Sequence, residues 1–149
     1  MPTSFRLENG TLQSLLTTEV NSLANNARTA ASAAYDNSAA GFGFLWGEFE
    51  LVVTFGAAPT AGTGFDLYLI ESVDGTNYTD GSSSVAPPLT SFVGSFPLRA
   101  VTTAQRIHLR GVPLPPGKWK ALLHNNGTGQ TAAASGNTLS VLPYRQQGV

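Results

Sequence analysis

At 149 residues and a formal net charge of −1, the chain is long enough for one domain with a sizeable hydrophobic core. Its 42% hydrophobic residues exclude a disordered polymer, and the lack of cysteine excludes a disulfide frame or a thiolate metal site. No apolar run approaches the roughly 18 residues of a membrane-spanning helix, and the opening Met-Pro-Thr-Ser-Phe-Arg lacks the apolar stretch of a secretion signal, so a soluble protein made in a cytoplasm is expected.

Charge is scarce and unevenly placed. Charged residues make up 11% of the chain, against roughly 25% in an average soluble protein. All nine carboxylates lie at or before Asp80, sharing that stretch with only Arg6 and Arg28, so residues 1–80 carry −7 and residues 81–149 carry +6. Such asymmetry implies either that the two segments fold against each other or that an acidic face of one copy meets a basic face of the next. Polarity otherwise comes from Ser, Thr, Asn and Gln, which cost far less than ions to bury at a contact.

In chain order, Leu12, Leu15, Leu16, Val20 and Leu23 recur at helical spacing behind Thr11 or Thr18 as caps, and Asn25-Asn26 ends the run. Residues 1–28 are therefore expected to form an N-terminal arm with one short helix, and residues 29–149 a separate β-sandwich domain. The arm either plugs the end of the core or docks on a partner. Thr29–Tyr35 reads as a strand of small residues. Phe49, Leu51, Val53 and Phe55 alternate with Glu48, Glu50, Val52 and Thr54, the period of a half-buried strand.

Phe42, Phe44 and Trp46 sit on the opposite parity. A bulge at Gly47 would re-aim them; without one they cover an outer face and mark an interface. After the loop Gly56–Gly64, Phe65, Leu67 and Leu69 define another strand, and Asp74–Ser84 is rich in turn residues. Ser91–Val101 contains Pro97 and reads as an edge strand. Gln105–Val112 and Lys118–Asn125 flank the reversal Pro113–Gly117, and Thr138–Leu142 closes the sheet. About eight short strands without a central helix predict an all-β, antiparallel sandwich, of which the jelly roll is the common eight-stranded form.

Few groups carry chemistry. His108 and His124 are expected to face one another across a hairpin, yet a zinc site needs a further ligand that no nearby Cys or acid supplies. Asp74-Gly75-Thr76-Asn77 departs from the calcium-loop pattern and is explained by turn chemistry. Glu48 and Glu50 lie roughly 7 Å apart on one strand face, within the span of paired catalytic carboxylates, but a salt-bridged face with Arg106, Arg110 or Lys118 accounts for them better. Exposed Trp46, Tyr68, Tyr78, Trp119 or Tyr144 would suit sugar stacking, so a glycan ligand is an alternative. Six basic residues spread over residues 81–149 make no nucleic-acid footprint. The sequons at Asn9, Asn77 and Asn126 read as coincidences of composition.

The blocks FELVVTFGAAPTAGTGFDLYLIESVDGTNYTDG, RIHLRGVPLPPGKWKALLHNNGTG and SGNTLSVLPY, spanning about Leu45 to Tyr144, resemble small virion proteins of tailed bacteriophages, most of all jelly-roll head decoration (cement) proteins. The resemblance implies a non-enzymatic protein of the capsid surface, without cofactor or metal. Its implied partners are the major capsid protein and its own copies, commonly as a homotrimer, with neither nucleic acid nor membrane. A carbohydrate-binding or adaptor module of a tail or fibre is the rival expectation. The candidate interface comprises Glu48, Glu50, Arg106, Arg110 and Lys118, with Phe42, Phe44, Trp46, Leu15 and Leu16 as apolar members.

Overall fold

Alternation of apolar and polar side chains along extended stretches is resolved as two antiparallel sheets packed face to face in a computed structural model, which describes residues 4–39 and 43–148. The strands are β1 (Phe5–Asn9), β2 (Gln13–Leu16), β3 (Tyr35–Asp36), β4 (Trp46–Val53), β5 (Gly64–Ser72), β6 (Phe92–Pro97), β7 (Gln105–Pro113), β8 (Lys118–Asn126) and β9 (Thr138–Gly148). One sheet has the order β1–β9–β4–β7, with β2 also paired to β9; the other has the order β3–β8–β5–β6.

Two edges that look fragmentary are each one strand. β1 and β2 lie end to end along β9, Asn9 opposite Tyr144 and Gln13 opposite Val141. They part beside Pro143, which has no N–H to offer; its carbonyl accepts Gly10 N–H at 2.7 Å. Residues 26–32 continue β3 along β8, with Asn26, Thr29 and Ser32 donating to the carbonyls of Asn125, Leu123 and Ala121. Here the side chains of Thr29 and Ser32, both buried, accept the N–H groups of Leu123 and Ala121. Counted this way, four strands face four, and the chain passes between the sheets in the order of a jelly roll.

The core follows the sequence period. Phe49, Leu51 and Val53 of β4, Phe65, Leu67 and Leu69 of β5, and Trp119, Ala121 and Leu123 of β8 meet Leu139 and Val141 of β9 between the sheets. Buried amides pin the loops to this core. Asn37 donates to the carbonyls of Phe44 and Pro115 and accepts from Phe44 N–H. Asn125 donates to the carbonyls of Leu23 and Gln130, and Asn137 donates to Ala133 O while accepting Thr54 N–H. Each replaces a loop's missing ladder partner, which is where unsatisfied backbone groups would otherwise be costly.

Three expectations are corrected. The helix over Leu12–Leu23 is absent: β2 is a strand, and a series of turns follows it. Thr17 and Thr18 N–H groups are capped by the Glu19 carboxylate, and Ser22 and Asn26 take positive φ. Ser22 N–H and Leu23 C=O bond across to Ala133 and Ala132. Pairing with β9 and with residues 132–133 outcompetes a run of Thr, Ser and Asn that favours helix weakly. Leu16, Val20 and Leu23 are core residues nonetheless, so the segment expected as an arm supplies an edge strand and part of the core.

The bulge lies in β7 rather than at Gly47. Two steps along β4, Gly47 to Phe49, span three along β7, Val112 to Leu109. Gly111 at φ +64 absorbs the extra residue. β4 keeps a straight register with β9, and Gly47 faces inward, where a Cβ would stand 2.8 Å from Val141. Lastly, β7 and β8 lie in different sheets, so His108 and His124 do not face one another.

Leu16→Ala is expected to cost about 2–5 kcal/mol as a large-to-small core substitution, read as a lowered urea midpoint. An unchanged midpoint would mean that this segment lies outside the cooperative core.

Candidate interaction face

Because β4 runs straight beside β9, its even-numbered residues all point away from the core: Trp46, Glu48, Glu50 and Val52. On β7, the residues before the bulge present Arg106, His108 and Arg110 to the same face. The result is a charge ladder across two strands. Arg106 Nη1 pairs with Glu50 Oε1, and His108 Nε2 lies 2.7 Å from Glu50 Oε2. His108 Nδ1 and Arg110 Nε each stand 3.6 Å from Glu48 Oε1, close enough for ion pairing but too long for a hydrogen bond. Hydrogen bonds from Arg106, and then from His108, hold the Glu50 carboxyl below its ordinary value of 4.5.

The ladder gives way to an aromatic and apolar end. Trp46 stacks on its cross-strand neighbour Tyr144, centroids 5.8 Å apart and planes at 26°. Trp46 is the first β4 residue paired with β9, so β9 and β1 continue past it as a two-stranded ribbon. Phe5 and Leu7 of the ribbon are 67% and 70% exposed. Leu12 and Leu45, in the adjoining connections, are also exposed. Arg145 binds Glu8 at 2.6 Å and lies over the Phe44 ring, 5.5 Å from its centroid.

The structure brings Glu48, Glu50, Arg106, Arg110 and Trp46 together and separates the other candidates. Lys118 is on β8, in the opposite sheet, across from Asp36. Asp36 is held below its ordinary pKa first by its hydrogen bonds from Ser38, with Lys118 adding a smaller attraction. Leu16 is in the core and Leu15 is half-buried against it. Phe44 packs under the ribbon, where a Cβ on Gly10 would stand 2.6 Å from its ring, so it is a packing residue. Phe42 lies outside the described residues.

Phe5 and Leu7 escaped the sequence reading as members of this face, and Tyr144 entered it only as a ring suited to sugar stacking; the Glu8–Arg145 pair lies on the ribbon's other side. The alternation Phe5-Arg6-Leu7-Glu8 was the available signal, overshadowed by the helical spacing that follows it.

The other groups that the sequence singles out lie away from this face. Asp74 accepts the N–H groups of Asn77 and Thr76 and the Asn77 amide. The Asn77 backbone bond leads in driving its pKa far below the usual carboxylate range, so this is a self-capped turn. His124 sits opposite Asp66 on the outer side of the second sheet. Tyr78 lies beneath Lys120 Nζ at 4.2 Å on that same side, so Tyr78 and Trp46 occupy opposite sheets and form no common platform. Among the described residues no three His, Cys, Asp or Glu side chains converge as a metal site would require.

No protein-family model matches the chain, and no curated protein matches it significantly in sequence. Similarity appears at the level of the fold. The CBM36-1 domain of a multidomain xylanase from the hindgut metagenome of Trinervitermes trinervoides superimposes with a TM-score of 0.50 at 13% identity, over 98% of this chain and 100% of that one. A family 6 carbohydrate-binding module gives 0.38 at 12% identity, over 97% and 87% of the two chains. A chain of infectious bursal disease virus, Gx strain, gives 0.39 at 11% identity, over 97% of this chain and 33% of that one. At 13% identity the likeness to the CBM36-1 domain shows the β-sandwich fold alone.

The lowered pKa of Glu50 makes a signed prediction. Stability from this carboxylate is present above its unfolded-state value and is lost as pH falls through the lower folded value. Glu50→Gln is therefore expected to flatten the loss of stability below about pH 4.5, the ordinary value. At neutral pH it should cost no more than about 1 kcal/mol, because the pairs are exposed. Chemical denaturation at a series of pH values checks both; a parallel loss in mutant and parent would contradict the assignment.

Proposed function

We propose that the chain is a non-enzymatic structural protein of a tailed-bacteriophage virion, a decoration protein that binds the outer surface of the head and stabilises the shell. The observation that carries this reading is the composition of one continuous face. On it, Glu50 and Glu48 are already paired with Arg106 and Arg110 of the same chain, with His108 in contact with both carboxylates, beside the Trp46–Tyr144 stack and the exposed Phe5 and Leu7. A face whose ions are internally paired loses less on desolvation than one with free charges, and the apolar end supplies the favourable term. Rigid sheets and many modest contacts suit a protein repeated over a lattice, where multivalency adds up weak binding. The resemblance of the blocks between Leu45 and Tyr144 to small virion proteins supports the setting, with the major capsid protein as partner.

A carbohydrate-binding role in a tail or fibre is the second reading, and the stacked Trp46–Tyr144 pair favours it, since sugar rings pack on such surfaces. Trp46→Ala separates the two. On the first reading it weakens binding to purified heads and leaves no glycan affinity to lose; on the second it abolishes binding on a glycan array.

Heads assembled with the protein are expected to survive higher temperature and lower ionic strength than heads without it, read by DNA release on heating. Equal survival, together with absence of the protein from purified heads, would sink the reading.

A further inference from the structure

Every open sheet has edges, and most edges here are blocked against pairing. β7 carries the Gly111 bulge and ends in Pro113. β6 has a register shift, Gly94 and a terminal Pro97. The edge along β8 is irregular, with β3 only two residues long, and β2 is bulged between Ser14 and Leu16. Bulges, prolines, charges and short strands are the devices that protect edges.

β1 has neither bulge nor proline, and its two charges, Arg6 and Glu8, are of opposite sign. Its five residues pair with β9 in unbroken register and contain no Pro, Gly or Lys, and Phe5 and Leu7 are exposed. The direction of its free groups follows from Gly10, whose N–H bonds to Pro143 O on β9. In an antiparallel ladder alternate residues point to the same neighbour. Glu8 and Arg6 therefore turn their backbone groups to β9, and Phe5, Leu7 and Asn9 turn theirs outward.

The charges say what fits there. In an antiparallel pairing of two β1 strands centred on Leu7, Arg6 stands opposite Glu8 of the second copy, and Glu8 opposite its Arg6. Leu7 faces Leu7, and Phe5 faces Asn9. The outward backbone groups at these positions then hydrogen-bond reciprocally. Slipping the register by two residues in either direction sets Arg6 against Arg6 or Glu8 against Glu8, which like-charge repulsion disfavours. Glu8, already held by Arg145 at 2.6 Å, would be flanked by two guanidinium groups, and Arg6 is exposed and reaches Gln147 at 3.3 Å.

We infer that β1 is a self-association edge: two copies join through antiparallel β1–β1 pairing about a two-fold axis at Leu7, fusing their β1–β9–β4–β7 sheets into one. The contact is isologous, whereas a cyclic trimer needs a heterologous one, so the two assemblies differ in mass. The inference stands independently of the capsid reading, since it concerns the free protein.

The chain has no cysteine, which makes a single introduced thiol diagnostic. At this register the two Leu7 Cα atoms would be about 5.5 Å apart, inside the roughly 4.4–6.8 Å range of disulfides. Under mild oxidation the Leu7→Cys chain is expected to become a covalent dimer. A Val73→Cys control, fully exposed on the loop after β5, is expected to stay largely uncrosslinked. Sedimentation of the unmodified protein at tens of micromolar should give the mass of two chains, and Leu7→Lys and Arg6→Glu should each give one, with unchanged circular dichroism showing that the fold survives. A one-chain or three-chain mass for the unmodified protein, or equal crosslinking of the Leu7→Cys and Val73→Cys chains, would overturn the inference. So would crosslinking of Leu7→Cys only to another component of a phage head, which would make the edge a receptor for a different protein.

Discussion

The backbone hydrogen bonds of β9 are what the larger part of the structure hangs on. This strand is paired on both sides, with β4 along one and β1 and β2 along the other, and strands so placed must satisfy every donor and acceptor within the sheet. Pro143 interrupts the arrangement at one point, and the edge strand breaks into two pieces beside it. The break frees the first piece to run on with the end of β9 as a ribbon, which carries Phe5 and Leu7 into solvent. The straight β9–β4 register sends the correction for curvature elsewhere, to Gly111 on β7. Trp46, Glu48 and Glu50 consequently stay on one outward face instead of being divided between outside and core.

Much of this was legible in the sequence where a strand has neighbours on both sides and one face buried. Phe49 to Val53, Phe65 to Leu69 and Trp119 to Leu123 alternate because the sandwich interior demands it, and parity alone put Glu48 and Glu50 on the same face as Arg106 and Arg110. Reading failed where burial comes from turns or where side chains replace the ladder. Leu16, Val20 and Leu23 share helical spacing because successive turns tip them into the core. The strand expected over Thr29–Tyr35 does run along β8, but only Tyr35–Asp36 is regular: over residues 26–32 Thr29 and Ser32 use their hydroxyls in place of backbone carbonyls. Two glycines, Gly47 and Gly111, were equally able to host a bulge, and only the pairing of β4 with β9 decides between them. Lys118 was misassigned because consecutive strands here change sheets.

That alternation also resolves the uneven charge. Strands from the acidic and basic segments are interleaved in space, so Glu8 meets Arg145, Glu50 meets Arg106, Glu48 meets Arg110, and Asp36 lies opposite Lys118. The −7 and +6 of the linear chain are largely cancelled within one subunit. What remains for contacts between molecules is the pattern along single strands, of which Arg6 and Glu8 on an open edge are the clearest case.

The pairing of β1 with β9 has a consequence for how the molecule comes into being. β9 lies between the edge pieces and β4, so until Thr138–Gly148 has been synthesised, β1 and β2 have no partner and β4 is paired only with β7. Phe5 finds its place opposite Gly148, a loop closure that must be made before its contacts repay it. Folding therefore finishes late and slowly relative to chain growth, with apolar strands waiting unpaired in the meantime. Once closed, the same long-range clasp ties one end of the sequence to the other, and loosening either end means opening the sheet.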